Sequence, residues 1–281
     1  MGKIRIVTDT TAVLPQEYAV AHHVEVVPQI ILFGQESFQE DYELPYSEFI
    51  RRLRSASELP KTAAPEPRLL IEAFKRQLAE AETVIALHPS TEVSGTVRSA
   101  ITAKEEAFPD ADIRVIDTRT IGSNLASMVI DAVEWAESSV PADEIMGRLQ
   151  AMIPRSRLYF LVATLEYLRK GGRIGGASAL VGSMLQIKPI LQLKDGRVEP
   201  LEKVRTHHHA LERLKELVME QCPRTPDAHL SVMNADELEA AQRLADDLKS
   251  RLGLERVPIY NVGASITTHG GPGILAASFF A

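Results

Sequence analysis

The sequence predicts an α/β chain in two domains: a three-layer α/β/α domain with a mainly parallel sheet over residues 1–155, and a two-layer α/β domain with a mixed sheet over residues 156–281. Three observations predict it. The chain has 281 residues, and about 150 residues per domain gives two. Apolar β-branched runs alternate with helical patterns as far as Met152, the order a parallel sheet with crossover helices requires. After Pro154-Arg155 a hairpin signal, Asp195-Gly196, brings in antiparallel pairing.

The elements follow in order. Lys3–Thr8 is a strand ending at Asp9-Thr10-Thr11, where the polar residues suit a cap. Val24–Phe33 is a long apolar run that Pro28 confines to a sheet edge or divides. Pro45–Ala56 has a helical pattern and is followed by the proline-punctuated loop 59–67. Leu70, Phe74 and Leu78 give the helix Arg68–Glu80 its 3.6 period. Thr83–Leu87 is a buried strand, and Val97–Phe108 the helix after it. Ile113–Ile116 is a strand ending at Asp117-Thr118-Arg119-Thr120, and helices follow at Ser123–Ser138 and Ala142–Met152. In the second half Leu158–Val162 is a strand, Thr164–Arg169 a short helix, Lys170–Gly176 a glycine-rich basic turn and Ala177–Leu185 a small-residue helix. Ile187–Leu193 and Val198–Arg205 form the hairpin. Thr206 caps a helix to Glu220, and Leu230–Met233, Asp236–Leu252 and Val257–Val262 read strand, helix, strand.

Composition excludes several function classes. The net charge of −7 argues against wholesale nucleic-acid binding. One cysteine, Cys222, allows neither an intrachain disulfide nor a cysteine-based zinc site. No apolar run approaches membrane-spanning length, the first residues do not form a signal peptide, and the expected location is the cytoplasm. Three consecutive histidines, His207-His208-His209, point in different directions on a regular helix and do not chelate one ion. No metal and no cofactor are expected.

The polar residues concentrate where α/β sheets bind ligands, beyond the carboxyl ends of the strands. Asp9-Thr10-Thr11, Ser90 to Thr96 and Asp117 to Thr120 all lie at that edge. Ser90, Thr91, Ser94 and Thr96 precede a helix, whose first N–H groups and dipole favour an anion; Ser94 also suits a helix cap. Between Leu165 and Arg205 eight basic residues stand against four acidic ones. Within that segment the glycines of 171–176 let backbone N–H groups approach an anion, and Arg173 offers a planar fork for phosphate or carboxylate. A Walker A loop is absent. Near the end, His269-Gly270-Gly271-Pro272-Gly273 reads as a tight loop around a histidine.

These residues together resemble the DegV family. Asp9 to Pro15 is similar to its opening motif, Ser90 to Thr96 to its Ser-Ser-x-x-Ser-Gly-Thr segment, and Thr164 to Gly175 to its most specific signature. Ile187–Leu191 and Leu201–Thr206 match its hairpin, and His269–Gly273 its terminal motif. The resemblance covers essentially the whole chain. It implies a fatty-acid-binding subunit of bacterial fatty acid kinase, which buries a long-chain fatty acid between the two domains. A separate ATP-dependent fatty acid kinase then phosphorylates the carboxylate, and the acyl phosphate feeds phospholipid synthesis. Such a protein is not itself an enzyme, binds no nucleic acid and has at most transient membrane contact. By the resemblance Thr62, Ser94, Gly95, Thr96, His269 and Gly270 bind the carboxylate, and Arg173 and Arg205 face the kinase. Candidates to line the acyl tunnel are Ile30, Leu32, Phe33, Met184, Leu185 and Phe279. The chain departs from the family pattern at Ala63 and Ala64, where Ser-Gln is usual, at Ala163, where Asp is common, and over Asp117–Gly122. An alternative is a serine-type acyl-ester hydrolase, with Ser94 as nucleophile, His269 as base and Asp9 or Asp117 as orienter. It lacks a Gly-x-Ser-x-Gly elbow.

Overall fold

The structure, a computed structural model, describes residues 3–183 and 187–281. The chain divides into two compact units, one of Met1–Pro45 with Thr62–Pro154, the other of Tyr46–Lys61 with Arg155–Ala281. The sequence boundary counts residues 46–61 with the first domain. In the structure the helix Tyr46–Ser55 packs with the second unit: Tyr46 Oη lies 3.2 Å from Thr267 Oγ1, and Arg54 pairs with Asp236.

The first unit contains β1 (Ile4–Asp9), β2 (Glu25–Val27), β3 (Ile30–Phe33), β4 (Glu36–Gln39), β5 (Lys61–Ala63, its first residue counted with the other unit), β6 (Thr83–His88) and β7 (Asp112–Asp117). Four of them form a parallel sheet in the order β2-β1-β6-β7. Helices Pro67–Leu78 and Thr96–Ala107 cover one face. There Leu70, Phe74, Ala100 and Ala103 pack on Val7, Val84, Ala86 and Ile113. Helix Ser123–Glu137 contacts β1 and β6 as well, and is apolar and buried over most of its length. The remaining strands make a small sheet, β4-β3-β5. Pro28 therefore divides the apolar run 24–33 between two sheets, because proline offers no N–H to a ladder. Strands β4 and β5 escape the sequence: each is only three or four residues long and has no buried residue.

The second unit contains β8 (Ser156–Leu161), β9 (Lys188–Lys194), β10 (Arg197–Val204), β11 (Ser231–Ala235), β12 (Ile259–Asn261) and β13 (Ile274–Phe280). They form a mixed sheet, β10-β9-β8-β13-β11-β12, in which β11 and β12 are parallel and the other pairs antiparallel. The β9–β10 hairpin turns at Asp195 (φ 49°) and Gly196 (φ 79°), the double left-handed turn that Asp-Gly favours. Helices His207–Gln221 and Leu238–Leu252 supply Leu214, Leu217, Leu244 and Leu248 to a core shared with Tyr159, Ile190, Val232 and Phe279. Thr206 caps the first of these helices by accepting from His209 N.

Two expectations are corrected here. The helix expected over 177–185 is, over its described part, a 3-10 segment, Gly175–Ser183, with Ala177 and Leu180 buried and the Gly175 backbone (φ 53°) against Val198; residues 184 and 185 lie outside the described residues. The tail is not a loop throughout: Gly263–Gly270 is a helix with His269 in its last turn, and Gly271–Gly273 links it to β13. Phe279, a tunnel candidate, is fully buried and meets Tyr159 edge-to-face at 5.9 Å inside the core. Among the other tunnel candidates, Ile30, Leu32 and Phe33 are half-buried on β3. Met184 and Leu185 lie outside the described residues. Among the described residues no helix is long and apolar enough to cross a membrane.

Candidate functional site

In the first unit the three polar strand ends meet. Side chains alternate along a strand, so Asp9 continues the face of Val7, His88 that of Ala86, and Asp117 that of Ile113 and Val115. In the register Leu87 pairs with Ile116 and His88 with Asp117. The loops that follow are tied together by backbone: Ser90 N donates to Thr120 O at 2.9 Å, and Gly122 N donates to Thr11 O at 2.9 Å. Thr118 donates its hydroxyl to His88 O at 2.8 Å.

Asp9 is the hub of this edge. It is fully buried and accepts from four donors. Its Oδ1 takes Thr11 N at 3.0 Å, Thr11 Oγ1 at 2.6 Å and Gln29 Nε2 at 2.9 Å. Its Oδ2 lies 2.7 Å from Nδ1 of His88, which is also fully buried. A carboxylate only accepts, so the shared proton belongs to Nδ1. Among the described residues His88 Nε2 meets no hydrogen-bond partner. The first task of Asp9 is local: it caps the 3-10 turn Thr10–Ala12 by accepting Thr11 N. Thr10 in turn donates to Glu40 Oε2 at 2.5 Å and accepts Gln29 N at 3.0 Å.

The network reaches Ser94. Gln29 Nε2 also donates to Thr96 Oγ1 at 2.9 Å, and Thr96 Oγ1 lies 2.8 Å from Ser94 Oγ. The helix begins at Thr96, with Gly95 at the cap position. Ser94, expected as the cap, therefore stands one residue before the cap position, and still accepts Thr96 N at 3.3 Å. Ala64 borders this point: a Cβ on Gly95 would lie 3.5 Å from Ala64 Cβ. The half-buried Thr62 belongs to the same short segment. The structure thus gathers Ser94, Gly95, Thr96 and the loop after Thr62.

The second unit holds the remaining candidates. His269 is mostly buried, and burial, reinforced by the Arg173 guanidinium, pushes its pKa down to about 4. At neutral pH it presents an uncharged ring. The glycine-rich turn approaches it closely: a Cβ on Gly171 would stand 2.3 Å from His269 Nδ1. Arg173 folds back, donating from Nη1 to Gly171 O at 2.8 Å. Gly271 has φ 81° and faces the Tyr167 ring, where a Cβ would lie 2.5 Å from Cδ2. Gly273, φ 90°, packs on Ala163: a Cβ there would lie 2.9 Å from Ala163 Cβ. Gly270 ends the helix, and a Cβ there would strike Ile274. Arg205 is exposed in the link between β10 and the helix His207–Gln221.

The orienter roles of the hydrolase reading are taken by other partners. Asp9 serves His88, Thr11 and Gln29. Asp117 accepts Thr91 Oγ1 at 2.7 Å and Arg119 N at 2.9 Å. Three residues of the network, Gln29, His88 and Glu40, escape sequence reasoning. Gln29 and His88 did leave a signal as polar residues next to a proline, Gln29 inside an apolar run and His88 at the end of one.

A family model described as "Uncharacterised protein, DegV family" matches residues 3–281. A DegV domain-containing protein of Halalkalibacterium halodurans is 37% identical over 281 residues, covering 100% of this chain and 99% of the relative. A solved structure from Thermus thermophilus, described as fatty acid binding of a DegV family protein, superposes with TM-score 0.91 at 31% identity and covers 99% of each chain. That of Bacillus subtilis DegV, described as a fatty acid binding protein, gives TM-score 0.89 at 30% identity and covers 100% of each chain. The shared parallel and mixed sheets, the strand-end motifs and full-length similarity to curated and solved relatives agree: the chain belongs to the DegV family.

Proposed function

We propose that this protein binds a long-chain fatty acid, holding its carboxylate and burying its acyl tail, and presents the carboxylate to a separate ATP-dependent fatty acid kinase. The observation that carries the binding step is the hydroxyl pair Ser94–Thr96 at the carboxyl end of β6, in a chain whose full-length relatives from T. thermophilus and B. subtilis are described as fatty acid binding. A hydroxyl donor is what a carboxylate head withdrawn from water requires, since an unpaired buried charge is costly. In the first unit Thr62, Ser94, Gly95 and Thr96 bind the carboxylate. In the second, His269 and Gly270 are carboxylate-binding residues by the family resemblance, and the neutral ring of His269 serves as a hydrogen-bonding group and not as a cation. Arg173 and Arg205 serve the kinase. There a carboxylate oxygen attacks the γ-phosphorus of ATP, and the bond to ADP breaks. This chain supplies a positioned acceptor and no catalytic residue.

Denaturing extraction of the purified protein, followed by mass spectrometry, should release a fatty acid. Ser94→Ala should weaken oleate binding about 10- to 100-fold, the range of a hydrogen bond to a charged group, with an unchanged far-UV spectrum. An empty protein that takes up neither oleate nor palmitate would overturn the proposal.

A further inference from the structure

The buried network behind Ser94 has a direction. Asp9 Oδ1 can only accept, so the Gln29 amide must turn its NH₂ toward it. The same nitrogen is 2.9 Å from Asp9 Oδ1 and 2.9 Å from Thr96 Oγ1, so Gln29 spends both N–H bonds, one on each. A turned-over Gln29 amide would set its oxygen against Asp9 Oδ1, two acceptors with no proton between them, while the backbone beside it is held by Gln29 N donating to Thr10 Oγ1. Thr96 Oγ1 accepts from Gln29, and among the described residues Ser94 Oγ at 2.8 Å is the one acceptor within reach of its own proton, so the fully buried Thr96 hydroxyl donates there. Ser94 Oγ then accepts twice, from the Thr96 hydroxyl and from Thr96 N at 3.3 Å. A hydroxyl oxygen has two lone pairs. With both occupied, the remaining capacity of Ser94 is its own proton.

We propose that Asp9 and Gln29 are positioning residues that fix the proton direction along Gln29, Thr96 and Ser94, so that Ser94 meets a ligand only as a donor and the site selects an ionised carboxylate over a neutral head group. The proposal rests on the reading that Ser94 binds the fatty acid's carboxylate, and adds to it the origin of head-group selectivity. Asp9 and Gln29 act through Thr96 and need not touch the ligand.

The test is the ratio of oleate to oleamide affinity, measured by calorimetric titration of the delipidated protein. The two ligands share an acyl chain, but the amide carries N–H donors and no charge. Wild type should favour oleate. Gln29→Glu places an acceptor where the NH₂ was. Thr96 then donates back to residue 29, Ser94 donates to Thr96, and a lone pair faces the ligand. Oleate affinity should fall roughly 10-fold or more, while oleamide, which can donate to that lone pair, changes less than about threefold. Gln29→Met, of similar length and uncharged, covers the case in which Gln29→Glu fails to fold. It leaves Ser94 free to point either way, and should lower the ratio about threefold. Equal loss of both ligands marks a merely structural role and overturns the inference, as does an unchanged ratio in the variant that folds. Wild type binding neither ligand overturns the fatty-acid reading and this inference with it. Wild-type selectivity that survives at residue 29 but is lost in Ser94→Ala overturns the inference alone.

Discussion

The two units build their candidate residues by opposite means. In the first, side chains converge: Asp9, Gln29, His88, Thr96 and Ser94 form a buried hydrogen-bond chain. In the second, side chains are withheld: Gly171, Gly271 and Gly273 let backbone press against His269, Tyr167 and Ala163. A polar network is sensitive to the loss of a partner, and a glycine-lined contact to the gain of an atom. Substitutions that remove atoms should therefore be worst in the first unit, and those that add atoms worst in the second.

The largest effect should come from Asp9→Ala. It leaves the buried donors of His88, Gln29 and Thr11 without their acceptor, and each buried donor so stranded costs about 1–3 kcal/mol. Urea unfolding should show it; a loss below about 1 kcal/mol would mean that the network does not hold the strand ends. Next is Gly271→Ala. The added methyl meets the Tyr167 ring, and φ 81° disfavours any side chain, so about 2–4 kcal/mol should be lost. A neutral outcome would show that the turn yields easily.

The third prediction concerns pH. Burial, with the Arg173 guanidinium beside it, pushes the pKa of folded His269 down to about 4, against 6.5 for an exposed imidazole. Between these values the unfolded chain binds the extra proton, so stability from this residue is intact above pH 6.5 and is lost as pH falls toward 4. The total is at most about 3.4 kcal/mol. Carboxylates titrate in the same window, so the comparison is with His269→Gln, whose stability should fall less steeply. Parallel pH profiles would remove this role. The smallest effect belongs to the surface. Arg213 fans over Glu202, Glu216 and Glu220, yet exposed pairs contribute about 0–1 kcal/mol, and Arg213→Ala should change the urea midpoint little.

Much of the architecture was legible because it follows from short-range rules. The alternation of β-branched runs with amphipathic helices places β1, β6 and β7 with their helices, and Asp195-Gly196 places the hairpin. Pro28 marks a break, and the chain does break there. The Gly263–Gly270 helix was hidden because serine, threonine and glycine are weak helix formers, and tertiary packing overrode that weakness. Of the site, Ser94, Gly95 and Thr96 were legible from their place at a strand end before a helix. Gln29 and His88 were not, since a single polar residue in an apolar run carries no partner in its local sequence.

The sequence by itself determined the two-domain α/β class, the polar strand ends and the family, all readable from residue type and spacing. The tertiary structure alone decided which polar groups pair. Asp9 and His88 are 79 positions apart and Gln29 and Thr96 are 67 apart; only the parallel stacking of β2, β1 and β6 brings their strand ends together. Hydrogen-bond direction is a property of such a closed set of neighbours, because each donor and acceptor is defined by what the others have already used.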